Sequence, residues 1–141
     1  MTDDTAFAAP SEKLVLMVDD DESLLDLMEH VLKKEGFRTD RATDGPEALL
    51  KAQALNPDVL ILDMMLPGLG GYEVMRQLQA AGLGGIPIIV VTGRQMDPKA
   101  VQLLREEPNV KEFMPKPMRP PLLAQALHRL LKTQPRGASG G

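Results

Sequence analysis

A chain of 141 residues without cysteine is long enough for one domain that buries roughly two-thirds of its unfolded surface, so neither a disulfide nor a structural metal is needed for folding. Sixteen basic against twenty acidic residues leave a formal charge of −4, which argues against a nucleic-acid phosphate backbone as the main partner; one tyrosine and three phenylalanines supply few stacking platforms. The acidic N-terminus lacks the basic flank and apolar run of a signal peptide, and no stretch is apolar for long enough to span a membrane, so the expectation is a cytoplasmic protein without membrane or direct nucleic-acid contact.

Leu14-Val15-Leu16-Met17-Val18 is an uninterrupted apolar run, as suits a strand buried on both faces, and it ends in Asp19-Asp20-Asp21. Leu24, Leu25, Leu27, Met28, Val31 and Leu32 then recur at helical spacing, with Gly36 placed to end the helix. Asp21 and Glu22 suit the partial positive charge of its first turn, and His30 falls among its polar positions, which reads as a solvated side chain rather than a metal ligand. Phe37 to Arg41 is more polar, as an edge strand should be. Asp44-Gly45-Pro46 opens a second helix with Pro46 at its first position, Asn56-Pro57 closes it, and Asp58 finishes the turn that follows.

Val59-Leu60-Ile61-Leu62 is the second aliphatic run, and it carries Asp63 out into a loop of turn residues. A third helix runs from Tyr72 to about Ala81 with Val74, Met75 and Leu78 inward, stopped by Gly82. Pro87 sits at the mouth of a fourth strand, Ile88-Ile89-Val90-Val91-Thr92, where a missing N–H is tolerated. Asp97-Pro98 reads as the cap and first residue of a short helix bearing Val101, Leu103 and Leu104. The fifth strand is brief, Glu112-Phe113-Met114, and runs into Pro115-Lys116-Pro117. Pro120-Pro121 starts a last helix whose Leu122, Leu123, Ala126, Leu127, Leu130 and Leu131 form an apolar stripe, and the remainder has linker composition.

Five strands alternating with five helices predict an α/β fold, a doubly wound five-stranded parallel sheet with helices on both faces. The domain is expected over residues 12–132, between a disordered N-terminal segment, 1–11, and a flexible tail or linker, 133–141. All five strand ends then share one edge of the sheet, where ligands bind in open α/β folds.

That edge gathers Asp19, Asp20, Asp63, Thr92 and Lys116. Three carboxylates in one pocket repel by several kcal/mol at intermediate dielectric, so the pocket calls for a cation. An oxygen-only set with few protein groups suits Mg²⁺, which keeps several waters and takes one or two carboxylates plus a phosphate oxygen. Three carboxylates, one Mg²⁺ and one lysine sum to zero, poised for an anion. A carboxylate beside Mg²⁺ can attack a phosphoryl group, with Mg²⁺, the Thr92 hydroxyl and the Lys116 ammonium taking the three equatorial oxygens.

At this point the sequence resembles a family. Val18-Asp19-Asp20-Asp21, Leu62-Asp63-Met64-Met65-Leu66-Pro67 with Gly71 eight residues beyond Asp63, Val91-Thr92-Gly93 and Phe113-Met114-Pro115-Lys116-Pro117 are similar to the motifs of response-regulator receiver domains of two-component signalling, over about Glu12 to Lys132. The resemblance implies a flavodoxin-like (βα)5 fold with strand order 2-1-3-4-5. It implies that Asp63 is the phosphoacceptor, supplied by a sensor histidine kinase or phosphotransfer protein, and that Asp20, Asp63 and the Met65 carbonyl bind Mg²⁺ with Asp19 helping directly or through water. Thr92 and Lys116 are the expected phosphoryl-binding groups, with Lys116 preceding a cis Pro117. Thr92 and Phe113 are the expected switch pair, remodelling the face of the fourth helix, fifth strand and fifth helix. Met65 and Arg94 are the expected lifetime-tuning residues. The output would pass to an effector protein or a covalently linked output domain, and a homodimer on the last helix stays open.

Three features depart from the family pattern. Gly93 follows the threonine in place of a small alanine, Pro108-Asn109-Val110 replaces a Gly-Ala pair before the fifth strand, and Phe113 brings no hydroxyl. Other readings are weaker. Gly68, Gly70 and Gly71 suggest a dinucleotide loop, but Glu73 breaks G-x-G-x-x-G. A flavin phosphate would be repelled by the acids. An Mg²⁺-dependent aspartyl-nucleophile phosphohydrolase shares the chemistry, yet carries a second acid two residues after the nucleophile, where Met65 stands. A receiver-like adaptor that never cycles phosphate would not need the complete set of acids, threonine and lysine.

Overall fold

The aliphatic runs form strands because they can be covered on both sides. The structure is a computed structural model that describes residues 7–93 and 96–134. In chain order it contains β1 (Leu14–Val18), α1 (Glu22–Lys34), β2 (Arg38–Ala42), α2 (Gly45–Leu55), β3 (Val59–Asp63), α3 (Gly71–Ala80), β4 (Ile88–Thr92), α4 (Pro98–Arg105), β5 (Val110–Pro115) and α5 (Pro120–Leu131). The strands are all parallel in the order β2-β1-β3-β4-β5. This is the flavodoxin-like arrangement that the sequence leads one to expect.

Strand periodicity divides the core into two layers. Val15, Met17, Val59, Ile61, Ile89 and Val91 pack against Leu25, Met28 and Leu32 of α1 and Leu123, Ala126 and Leu127 of α5. Their sequence neighbours Leu16, Val18, Leu60, Leu62, Ile88 and Val90 face Ala48 and Ala52 of α2, Val74, Met75 and Leu78 of α3 and Leu104 of α4. Every residue of β1 and β3 is buried, and the polar edge strand β2 is not. Arg41 of β2 instead reaches Asp26 and Glu29 of α1 at 3.0 and 2.6 Å, and Lys51 of α2 reaches Asp40 at 3.0 Å.

The helices begin and end where local chemistry allows. Asp21 caps α1 by accepting from the amides of Ser23 and Leu24, Asp44 caps α2 through Glu47 N–H, and Asp97 caps α4 through Lys99 N–H. Asn56 closes α2 in the left-handed region at φ 47°. Several expectations need correction. Pro46 is the second rather than the first residue of α2, and α3 starts and stops one residue earlier than the sequence reading. β5 is longer because its pairing with β4 begins at Val110, with a register shift between Ile88 and Ile89. Leu27, Leu103 and Leu122 are exposed, since each layer is only as wide as the sheet and the helix flanks extend past it. At the ends, Ala8 and Thr133 pair in a parallel bridge, so the segments expected to lie outside 12–132 touch one another.

The loop from β3 to α3 is held close to the sheet. A Cβ added at Gly71 would lie 2.7 Å from Met64 Cα and 2.8 Å from the Asp63 carbonyl oxygen, both backbone atoms that a rotamer change cannot clear. Gly71→Ala is therefore expected to cost about 1–3 kcal/mol of stability, as overpacking does. The check is the urea midpoint, and an unchanged midpoint would show that the loop is free to move.

Candidate functional site

Register brings the acids together. β1 and β3 are neighbours, paired up to Val18↔Leu62, so Asp19 and Asp63 follow side by side at adjacent strand ends. Both keep the parity of Met17 and Ile61, and both are buried, at 0% and 1% exposure. This is also the point where strand order reverses, β1 leading outward to β2 on one side and β3 to β4 on the other, which is where open α/β sheets place their ligands. Asp20 is exposed at the rim, and one carboxylate oxygen from each of Asp19, Asp20 and Asp63 lies within 4.8 Å of the others.

Lys116 arrives from the end of β5. Its N–H donates to the Thr92 carbonyl at 2.9 Å, and the Lys116–Pro117 peptide bond is cis. The ammonium lies 3.3 Å from Asp19 Oδ2 and 3.4 Å from Asp63 Oδ2. Two carboxylates thus share one amine across the end of β4. Thr92 ends β4 half-buried, opposite Pro115 and one position beyond the Asp63↔Val91 pair. Phe113 is half-buried against the α2–α4 layer, and the Arg105 guanidinium covers its ring 4.5 Å from the centroid. Met65 is 55% exposed at the mouth, and its N–H donates to Asp63 Oδ1 at 3.0 Å. Arg94 lies outside the described residues.

The electrostatics are those of an acidic pocket short of positive charge. Burial raises the Asp19 carboxyl above its usual range; the Asp21 N–H and Lys116 oppose this, while the Asp63 charge adds to it. Burial pulls the Lys116 ammonium down, but attraction to Asp19 and Asp63 outweighs it and the net shift is upward. Asp19 Oδ1 accepts from Asp21 N–H at 2.9 Å. Asp19 Oδ2 is close enough to Lys116 to be attracted, yet it is buried and lacks a hydrogen bond of good geometry. A buried carboxylate oxygen without a hydrogen bond, facing two further carboxylates, fits a hard divalent cation such as Mg²⁺. Asp19, Asp20 and Asp63 are the side chains able to hold it.

The residues expected to meet at this edge, Asp19, Asp20, Asp63, Thr92 and Lys116, come from four strand ends, and the structure places all five there. The sequence reading passed over His128, which is buried at 5% exposure between α1 and the chain after α5. Its helical periodicity, one position after Leu127, was the available signal.

Comparison with known proteins places this geometry in a family. Residues 15–128 match the response regulator receiver domain, and the chain belongs to that family, the receiver domains of two-component systems. It is 39% identical over 108 residues to the alkaline phosphatase synthesis transcriptional regulatory protein PhoP of Bacillus subtilis, an alignment that covers 77% of this chain and 44% of that protein. It is 37% identical over 121 residues to the DNA-binding response regulator MtrA of Mycolicibacterium smegmatis, covering 85% and 51% respectively. The chain thus spans about half the length of these curated relatives or less. Among solved structures, the Vibrio cholerae chemotaxis protein CheY4 superposes with a TM-score of 0.75 at 30% identity, over 84% of this chain and 98% of that one. The Francisella response regulator 1452 receiver domain superposes with a TM-score of 0.75 at 25% identity, over 85% and 97%.

If crowding of negative charge is the dominant cost at this edge, Asp19→Asn should stabilise the metal-free protein by about 1 kcal/mol, because it removes a desolvated charge while Lys116 keeps Asp63. Urea unfolding in the presence of a chelator reads this directly. A lower midpoint for the variant would mean that the attraction to Lys116 outweighs the repulsion.

Proposed function

We propose that this domain accepts a phosphoryl group on Asp63 from the phosphohistidine of a sensor histidine kinase or phosphotransfer protein, and that the modification switches a protein-interaction surface. The observation that carries this reading is the placement of a buried carboxylate, Asp63, at the end of β3 with two further carboxylates and the Lys116 ammonium 3.4 Å away. In the transfer, the bond from the donor imidazole nitrogen to phosphorus breaks as a bond from an Asp63 oxygen forms. The electron pair of the broken bond stays on the imidazole. Such transfers need alignment and charge neutralisation more than covalent help from the protein.

Each side chain has a part in that alignment. Met65 N–H holds Asp63 Oδ1, which fixes the carboxylate plane and leaves Oδ2, whose contact with Lys116 is long, as the attacking oxygen. Lys116 then follows the charge from Asp63 onto the incoming phosphoryl oxygens. Thr92, at the next strand end, offers its hydroxyl to another oxygen, and its movement together with Phe113 carries the change toward α4, β5 and α5. Asp19, Asp20, Asp63 and the Met65 carbonyl would hold Mg²⁺, which supplies neutralisation of phosphoryl charge when bound. Met65 stands at the mouth where attacking water must pass, and with Arg94 sets how long the acyl phosphate lasts.

The protein is thus a substrate of its partners and catalyses only its own phosphorylation and dephosphorylation. We place its action in the cytoplasm; no helix among the described residues is long and apolar enough to cross a membrane. The receiver fold spans 12–132, with Ala8 and Thr133 paired just outside it, and its effector is a separate protein or an output domain joined to it.

Intact-mass measurement after incubation with Mg²⁺ and a small phosphodonor tests the assignment. A single phosphoryl adduct is expected on the wild type and none on Asp63→Asn; equal adducts on both would remove Asp63 from its role. Steady release of phosphate from many monoesters would favour a phosphohydrolase instead. Replacing Met65 and Arg94 together by alanine should change the decay rate of the adduct about threefold to tenfold, which corresponds to a barrier change of about 0.7–1.4 kcal/mol. The same mass assay followed over time measures it, and an unchanged rate would exclude both residues from tuning.

A further inference from the structure

The edge of the sheet opposite the acidic cluster holds a buried polar group that the phosphoryl chemistry does not use. α1 and α5 run back against the strands, so their C-terminal turns lie at the end where β1 begins. There His128 of α5 is 5% exposed, and its ring packs against Phe37 with centroids 5.1 Å apart. Nε2 lies 2.7 Å from Glu35 Oε1, at the C-terminus of α1, and Nδ1 lies 2.7 Å from Thr133 Oγ1, just past α5. An ionised carboxylate can only accept, so Nε2 carries a hydrogen, and in the neutral ring Nδ1 is then free to accept from the threonine hydroxyl.

Thr133 is itself tightly held. It is 1% exposed, and its N–H donates to the His128 carbonyl at 3.0 Å. The turn that makes this possible passes through Lys132 in the left-handed region at φ 55°, whose N–H donates to the same carbonyl. The exposed face of that turn is then taken by the other end of the chain: Ala8 N–H donates to the Lys132 carbonyl at 2.9 Å, and Ala8 pairs with Thr133 in parallel.

We propose that His128 is the centre of a latch that ties three separate pieces, the end of α1, the chain leaving α5 and the N-terminal segment at Ala8, into one unit at the edge away from Asp63. The latch fixes where the chain departs after Gln134, beside its own N-terminal segment. This inference does not depend on phosphorylation of Asp63.

Amide hydrogen exchange on the full chain tests it. Thr133→Val keeps the shape of the side chain and removes its hydroxyl, so the pairing of Ala8 with Lys132 should open more often. The Ala8 amide is expected to exchange about fivefold faster, the effect of losing one hydrogen bond, while the Leu60 amide, which donates to Pro87 in the sheet, keeps its rate. Glu35→Ala should accelerate Ala8 in the same direction. Unchanged Ala8 exchange in Thr133→Val would overturn the latch, as would an equal acceleration at Leu60, which would mark a general loss of stability. An effect of Thr133→Val without one of Glu35→Ala would also overturn it, because the contact would then end at α5.

Discussion

Two desolvated carboxylates at neighbouring strand ends, restrained by a single lysine, are the constraint on which the rest of this molecule depends. Asp19 and Asp63 cannot be moved apart without breaking the β1–β3 register, and burial denies them the water that would screen their repulsion. Lys116 relieves part of the strain, but it reaches both acids at more than 3.2 Å and leaves Asp19 Oδ2 without a hydrogen bond. The strand ends therefore hold a local excess of negative charge that a bound cation would relieve.

That tension is tolerable because stability is supplied elsewhere. The two apolar layers are each continuous across the sheet, and at the opposite edge polar side chains hydrogen-bond to strand backbone. Asp58 Oδ2 accepts from Leu14 N–H at 2.8 Å and so fastens the start of β1 to the turn before β3. Asn109, 4% exposed, accepts at its backbone oxygen from Ile88 N–H at 2.7 Å and donates from Nδ2 to the Ile86 carbonyl at 3.4 Å, tying the start of β4 to β5 although its Oδ1 is buried without a hydrogen bond. The polar groups at one edge stabilise the sheet, whereas those at the other are held in place by it.

The architecture was legible because its information is local or nearly so. A fully buried parallel strand must be aliphatic along its whole length, and β1, β3 and β4 have no other reading at four or five residues; the acidic and proline-containing starts of α1, α2 and α4 announce themselves in the same way. The convergence of Asp19, Asp63 and Lys116 followed from topology alone, since parallel strands put all their C-terminal ends on one edge. What could not be read depended on pairing between distant parts. Nothing in the neighbourhood of His128 reveals that Glu35, 93 residues earlier, will face it. The real length of β5 and its register shift depend on its pairing with β4, and Leu103 looks like a core residue until α4 is seen to bury only Leu104.

Phe113 links the acidic edge to the helices that cover the other face of the sheet. It lies on β5 one residue from Met114, so alternation sends the two side chains into opposite layers: Met114 to the α1–α5 side and Phe113 to the α2–α4 side. Lys116 shares the parity of Met114 and serves the acids. A displacement of β5 that lets Lys116 follow charge onto a phosphoryl group would thus also shift the ring of Phe113 in the other layer, beneath Arg105 of α4. Without a phenolic hydroxyl, that ring is held only by packing and by the guanidinium over its face, interactions that vary smoothly with position and have no single hydrogen bond to break. Response at the outer surface is then expected to be graded by how α4 rests on β5. The short, sparsely buried α4, with one fully buried side chain, is the element of the sheet's covering least able to resist such movement.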